Sequence, residues 1–533
     1  QFVALSAALM FAVHPVSGVA VNYICIRDLL LAEVFLLAAL LAYVRLRRLG
    51  GTPLRWAVAV VLLALSLLSK EIGVVAPLLV LAYEFTLGGE SPLRPRAWLR
   101  AVPFAAAAAA FFAWTRLGLK FSDVANAVAP LEGTAYRYAL TQARLHLFHY
   151  LRNYAWPFWM RPAPLIEPAA GLLDPAVLAG LLLVGTSLAA AWIWRRRAPL
   201  AAFAVLAYWI SMAVESSVLP LFLWASDYRA FPAGAFLFLL VGLALERLLR
   251  RPWREVAAGA LIVYFALASV SMNRVWRTEE SLWTHSVAHG GDALAHLNLA
   301  MSLKDRQDPR VKAHLEEAVR MQPSFVLANL NLGLCLIDEG RAAEGLALCE
   351  KARDLEPGWA QTWHWLAQAY GRLGRRADAA AASRRAAELD PRNADYLRQA
   401  AFDAQAAGDH AGCLDLVRRL GEVQAPDARL LFLKGFSQQK TGDRSGAEAS
   451  YRASLRLDPA QAQVAFNLAY ALMEQGRFQE AAGWFRRALE LKPDYNEVHY
   501  HLSRCYEHLA NPPGAAREME LYRDGDAAPV PRK

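Results

Sequence analysis

Cysteine is scarce in this chain of 533 residues, with five in all, at positions 25, 335, 349, 413 and 505. Their spacing follows no metal-binding pattern and no disulfide framework, which sets aside zinc modules and disulfide scaffolds. Cys335 and Cys349 can face one another within one repeat, but a bridge between them is not expected. The acceptor pattern Asn-x-Ser/Thr is absent throughout, so N-glycosylation has no attachment point. No signal peptide is visible in this sequence. The chain opens with Gln1 inside an apolar run that reaches His14 after thirteen residues. A spanning helix needs about 20 residues, so this run reads as a membrane helix cut at its start. The surplus of nine positive charges is not gathered on one folded surface, which argues against nucleic-acid binding.

What the chain does contain points two ways. It is 56% hydrophobic with 16 Trp, yet 20% of its residues are charged. The mean hydropathy is +0.21. A soluble protein seldom combines these values, so a membrane part and a separate water-soluble part are expected. Apolar segments fall at about 29–44, 54–69, 72–87, 101–117, 172–194, 199–224, 230–249 and 255–272. Most lack the polar face of a soluble core helix. The pieces 54–69 and 72–87 are short, a tilted pair or a re-entrant hairpin around Lys70-Glu71. Arg45, Arg47, Arg48, Arg55, Arg94, Arg96, Arg100, Arg195, Arg196, Arg197, Arg247, Arg250, Arg251 and Arg254 fall on one side if every segment spans. That side should be cytoplasmic.

The opposite face then collects His14, Arg27-Asp28, Lys70-Glu71 and Asp227-Tyr228-Arg229. Burying a charge in a bilayer costs about 2.5–3.5 kcal/mol on insertion scales, so charges at helix mouths commonly serve a site. The 118–171 stretch joins them with Arg144, His146, His149 and Arg152, and with Tyr150, Tyr154, Trp156, Phe158 and Trp159. Its aromatic residues read as interfacial anchors. The histidines read as structural, because no acid stands at ligand spacing beside them. No metal is implied.

In the second half a proline recurs at 323, 357, 391, 426, 459 and 493, in steps of 34, 34, 35, 33 and 34. That is the tetratricopeptide period. Small residues such as Gly333 and Ala352 sit where two helices of a repeat approach, and the proline ends the second helix. The resulting solenoid has a concave groove. In the register of such repeats His364, Gln368, Arg398, Phe432, Phe436, Phe466, Tyr470 and Arg504 face it, and Asn331 and Asn467 share one position suited to a peptide backbone.

Taken in order, MFAVHP…IRDLLLAEVFLLAALLAY, LSLLSKEIGVVAPLLVLAYEF, ALTQARLHLFHYLRNYAWPFW, SDYRAFPAGAFLFLL and the link VWRTEESLW resemble the transmembrane O-mannosyltransferases that carry tetratricopeptide repeats, and their bacterial relatives. These belong to the GT-C superfamily of glycosyltransferases. The resemblance implies an all-α chain: a polytopic membrane helix bundle over 1–275 with about nine segments, a linker at 276–291, a solenoid of six to seven repeats over 292–525, and a disordered tail at 526–533. It implies a polyprenyl-phosphate-linked sugar as donor and a protein hydroxyl or glycan as acceptor, on the non-cytoplasmic side. The family's acidic base precedes Gln1, so no catalytic residue is assigned. Donor-phosphate or substrate contacts fall to Arg27, Lys70, Arg229, Asp28, Glu71, Asp227 and His14. The family order of acid, arginine and aromatic-Leu-Pro differs here, where Asp227-Tyr228-Arg229 runs into Ala230-Phe231-Pro232. The repeats would hold an acceptor polypeptide or an envelope protein. An Ala- and Arg-rich chain without glycosylation sites suits a bacterial inner membrane with periplasmic repeats, the alternative being the endoplasmic reticulum membrane. The rival function is a non-catalytic scaffold anchored in the membrane.

Overall fold

The computed structural model describes residues 1–17, 27–118, 135–162, 164–213, 225–306 and 308–527. Cys25 and residues 214–224 of one expected apolar segment lie outside them, as does the side chain of Arg27. The described chain is helical, and it divides into two compact units, 1–325 and 326–533.

In the first unit the helices are α1 (Phe2–Val13), α2 (Arg27–Leu49), α3 (Pro53–Ser69), α4 (Ala76–Phe85), α5 (Pro95–Gly118), α6 (Ala135–Leu145), α7 (Pro175–Trp194), α8 (Pro199–Ala213), α9 (Phe231–Leu248), α10 (Trp253–Val275), α11 (Glu279–Ala288), α12 (Ala293–Lys304) and α13 (Arg310–Met321). Local chemistry sets several boundaries. Asp28 in the first turn of α2 and Arg47 and Arg48 in its last complement the helix dipole. Thr52 caps α3 ahead of Pro53, and Asp174 caps α7 ahead of Pro175. Lys70 takes an extended backbone, which separates α3 from a 3-10 turn at Glu71–Val75.

Five helical stretches are long and apolar enough to cross a membrane, namely Asp28–Leu49, Pro95–Thr115, Pro175–Trp194, Asp227–Leu248 and Trp253–Val275. Three more apolar helices of this unit, α1, α3 and α8, are shorter. All of these but Pro175–Trp194 share a core that contains Met10, Leu36, Tyr43, Leu63, Phe104, Tyr150 and Phe238; Val177 of that helix packs with Leu140, Ala143 and Ala169. Residues 276–291, expected as a linker, hold α11. A Thr278/Ser281 capping box starts it, and Leu282 and Trp283 pack with Leu299 and Leu303.

The second unit pairs helices along the chain: α14 (Val326–Asp338) with α15 (Ala342–Leu355), α16 (Ala360–Arg372) with α17 (Arg376–Leu389), α18 (Ala394–Ala406) with α19 (His410–Val423), α20 (Ala428–Lys440) with α21 (Arg444–Leu457), α22 (Ala462–Glu474) with α23 (Phe478–Leu491), and α24 (Asn496–His508) with α25 (Pro512–Ala527). Residues 526 and 527, expected in the tail, still belong to α25, and 528–533 lie outside the described residues. A Cβ on Gly333 would stand 2.6 Å from Cys349 Sγ, which explains the small residue where α14 meets α15. Cys335 and Cys349 are both free thiols.

Each turn inside a pair needs one residue in the left-handed region. Gly340, Gly374, Gly408, Gly442 and Gly476 supply it, and in the last pair Ala510 takes the same place at φ 52°. An alanine there is strained by about 1 kcal/mol. Ala510→Gly should therefore raise the melting temperature of the full chain by a few degrees. An unchanged or lowered midpoint would show that the strain is relieved elsewhere.

Candidate functional site

The arginine-rich helix ends of the first unit meet around one buried carboxylate. Glu84 accepts from the Tyr43 hydroxyl at 2.5 Å, Arg47 Nε at 2.6 Å and Arg100 Nη1 at 2.7 Å. Arg100 also reaches Glu90 at 2.9 Å, and Arg196 donates to the Gly89 carbonyl at 2.6 Å. Arginines from three separate expected loops thus share one end of the unit.

A different set of polar groups gathers around the turn Asp227–Ala230. Asp227 is only 2% exposed. Asn153 Nδ2 donates to it at 2.7 Å, the Arg161 backbone N–H donates to its other oxygen, and His149 Nε2 lies 2.7 Å away. A buried carboxylate is tolerated only when donors surround it in this way. The helix that carries His149 widens into a π-turn at His146–Leu151, which turns His146, His149 and Tyr150 inward together. Such turns recur at functional sites. Beside the cluster, His14 accepts from the Val16 N–H at Nδ1 and so donates from Nε2 to the Tyr154 carbonyl, both at 3.0 Å. His14 and Asp227 border a crevice with no room for a water molecule.

Outward from Asp227 the chain forms a pocket of about 320 Å³, lined by Arg144, His149, Arg152, Arg161 and Glu167 on its polar side and by Leu145, Phe148, Leu165 and Ile166 on its apolar side. Arg161 is 9% exposed. Its Nε and that of Arg152 are buried without a hydrogen-bond partner among the described residues. Arg152 also stacks on Trp159 at 5.1 Å. Arg144, Arg152, Arg161 and His149 face Glu167 across this pocket, with Asp227 2.7 Å from His149 and Asp174 3.9 Å from Arg144.

The expected site residues separate accordingly. Lys70 Nζ pairs with Asp28 at 3.4 Å and lies 6.0 Å from the Tyr228 ring, so these two helix mouths do meet. Glu71 stays exposed. Arg229 is 4% exposed and sits in the packed interior rather than on a rim, because its 3-10 turn folds inward beside Asp227. Of the histidines read as lacking an acid, His149 meets Asp227, supplied from far along the chain, while His14 bonds the Tyr154 carbonyl and the Val16 N–H. Of the expected anchors, Tyr150 and Tyr154 are buried at 0% and 5%, while Trp156 and Trp159 remain exposed. Arg161, Asn153 and Glu33 were not anticipated. Glu33 is 3% exposed within α2, and neither of its oxygens has a hydrogen-bond partner among the described residues. A lone acid inside an apolar helix was a signal available in the sequence.

The first repeat also reaches this cluster. Leu165 N–H donates to the Gly290 carbonyl at 3.0 Å, and Asp292, which caps α12 through Leu294 and Ala295, acts electrostatically on Arg161. Burial pushes the Asp292 carboxyl up to about 6. Burial, with His289 beside it, pushes His285 down to about 4. The raised acid contributes stability that is full below its ordinary value and lost as pH rises through about 6. The lowered base contributes stability that is full above its ordinary value and lost as pH falls toward 4. The two slopes oppose one another. Asp292→Asn should make stability rise more steeply with pH over this window, and His285→Gln should make it fall; thermal melts across pH check this, and equal slopes in both variants would contradict it.

In the second unit, Gln368 donates to His364 at 2.9 Å, and Arg398 pairs with Asp427. Phe432 and Phe436 lie 6.4 Å apart, with Tyr451 and His410 behind them. Phe466 is largely core, 7% exposed against Phe485, Tyr495 and His501. Tyr470 meets His501 at 5.2 Å, and Arg504 lies 3.7 Å from Glu507. Asn331 donates to its own helix at Leu327, 2.9 Å away. Asn467 is 9% exposed, and its Nδ2 has no partner among the described residues.

Tetratricopeptide-repeat family models match residues 292–358 and 432–496, 472–529, and 360–393. No curated protein matches the chain. Among solved structures, YrrB, described as a TPR protein with an unusual peptide-binding site, is 18% identical with a TM-score of 0.30, covering 33% of this chain and 91% of its own. MamA from Desulfovibrio magneticus RS-1 is 17% identical at 0.30, covering 31% and 94%. PilF of Pseudomonas aeruginosa is 18% identical at 0.31, covering 38% and 93%. The family models identify residues 292–358, 360–393 and 432–529 as tetratricopeptide repeats, and the paired helices of the second half are solenoid-like.

Proposed function

We propose that the chain is an integral-membrane sugar transferase whose first unit takes a polyprenyl-phosphate sugar and whose repeats hold the acceptor polypeptide. The observation that carries this reading is the pocket of Arg144, Arg152 and Arg161 beside His149 and the buried Asp227. In transfer with inversion, an acceptor hydroxyl attacks the anomeric carbon and the lipid phosphate leaves. Preorganised guanidinium groups stabilise the charge that gathers on the leaving phosphate. His149 and Glu167 line the pocket and are the candidates to take the proton of the acceptor hydroxyl. The apolar wall of Leu145, Phe148 and Leu165 lets a lipid tail approach from the bilayer. The family resemblance supports the same chemistry.

Proteoliposomes holding the full chain, labelled polyprenyl-phosphate hexoses and a Ser/Thr-rich polypeptide test this. Label should enter the polypeptide and be lost in the Arg152→Gln/Arg161→Gln double variant. No transfer from any such donor, or transfer untouched by both substitutions, would overturn it. The second reading is a membrane-anchored scaffold, favoured by the repeat matches at 292–358, 360–393 and 432–529. It predicts that residues 292–527 keep their biological activity when tethered by an unrelated membrane helix.

A further inference from the structure

The pocket wall at Arg161 and Leu165 leans on the corner between α11 and α12, where the first repeat begins. Pro164 and Gly291 form an antiparallel bridge, and the Leu165 N–H donates to the Gly290 carbonyl at 3.0 Å. Gly290 takes φ 84°, and a Cβ there would stand 3.8 Å from Arg161 Nη2. A Cβ on Gly291 would stand 2.5 Å from that of Ala295, so glycine alone fits this close corner. Two residues past Gly290, Asp292 brings a half-buried carboxylate to bear on Arg161. Arg161 also faces Arg152 and Asp227. On α11, His285 faces His289, Arg161 and Asp227. Asp292 is thus a carboxylate lent by the repeat to a guanidinium group of the pocket, from outside the pocket's own lining.

From this juxtaposition, and resting on the reading that the pocket takes a phosphate, we propose that Asp292 competes with the ligand for Arg161 and is switched off by a proton. As a carboxylate it holds part of the guanidinium charge; once protonated it leaves that charge to the phosphate. Burial pushes the Asp292 carboxyl up to about 6, so capture tightens as pH falls through that value. The side chain stays anchored throughout, because the Leu294 and Ala295 N–H groups donate to its Oδ1 at 2.9 and 3.1 Å. Linkage runs both ways: a phosphate beside Arg161 favours neutral Asp292, so capture takes up a proton. Asp292 acts through Arg161 and is a positioning residue.

The test uses the full chain in nanodiscs and a farnesyl hexosyl phosphodiester, whose single charge is constant across the range; a monoester itself titrates near about pH 6. Asp292→Asn keeps a good helix cap and removes the charge. At pH 7.5 this variant should bind the diester about fivefold tighter than wild type, the size of one partly screened charge interaction. At pH 5, where the wild-type carboxyl is protonated, the two affinities should converge. A variant that binds no tighter at pH 7.5, or an affinity ratio that is the same at both pH values, would overturn the proposal and leave phosphate capture standing. Failure of both proteins to bind the diester at either pH would overturn the transferase reading and this proposal with it. Thermal melts at pH 7.5 check the coupling without ligand. The losses in Asp292→Asn and Arg161→Gln should not add in the double variant, and simple additivity would overturn the proposal.

Discussion

Asp227→Ala should lower the stability of the first unit by about 3–5 kcal/mol, because it leaves His149, Asn153 and the Arg161 N–H buried without their shared acceptor. Asp227→Asn is the more informative change. The amide keeps one accepting oxygen and turns an NH₂ group toward a donor. It should cost about 1–3 kcal/mol. The asparagine protein should still fold at low temperature, with His149 and the 161–167 loop no longer fixed. Thermal unfolding in detergent orders the three proteins, wild type first and alanine last. If the asparagine variant unfolds with the wild-type midpoint, Asp227 is not the organising group of the pocket.

The second large effect belongs to the opposite polar cluster. Glu84 is fully buried and gathers Tyr43, Arg47 and Arg100 from α2 and α5 onto α4. A buried ion cluster adds little net stability over a well-packed apolar one, but removing its centre leaves the arginines uncompensated. Glu84→Ala should cost about 3–5 kcal/mol. Tyr43→Phe, which removes one hydrogen bond, should cost about 1 kcal/mol. Arg100 keeps Glu90 as a partner, so Glu84→Ala should strand Arg47 more than Arg100. Unfolding midpoints of Glu84→Ala alone and combined with Arg47→Met measure this. The double variant should recover part of the loss, and no recovery would mean that the damage comes from packing.

The helices and the repeats were legible in the sequence because both are periodic. Hydropathy runs mark the membrane-length helices, and prolines at steps near 34 mark the solenoid. The left-handed turn glycines repeat on the same period, and only the last pair substitutes Ala510. The pocket was much less legible, because its contacts are non-local. Asn153 and Asp227 are 74 residues apart and Arg161 and Asp227 are 66 apart. No spacing rule joins them. His149 reads as structural from the sequence, and the acid it meets, Asp227, is not a neighbour in the chain. Arg229 looked like a rim residue because charges at helix mouths usually face water, and the 3-10 turn that buries it is not readable from composition. The aromatic run from Tyr150 to Trp159 divides between core and surface because the π-turn shifts which residues face inward.

In the proposed transferase reading, sugar transfer, leaving-group stabilisation and the entry of a lipid would all rest on one property of the first unit, capture of a phosphate with a hydrocarbon tail between Arg144, Arg152 and Arg161. Titration of the full chain in nanodiscs with farnesyl phosphate, and in parallel with farnesol, measures that property alone. The account predicts saturable binding of the phosphate, little binding of the alcohol, and loss of the difference in the Arg152→Gln/Arg161→Gln protein. Equal affinity for phosphate and alcohol, or a phosphate preference that survives both substitutions, would contradict it.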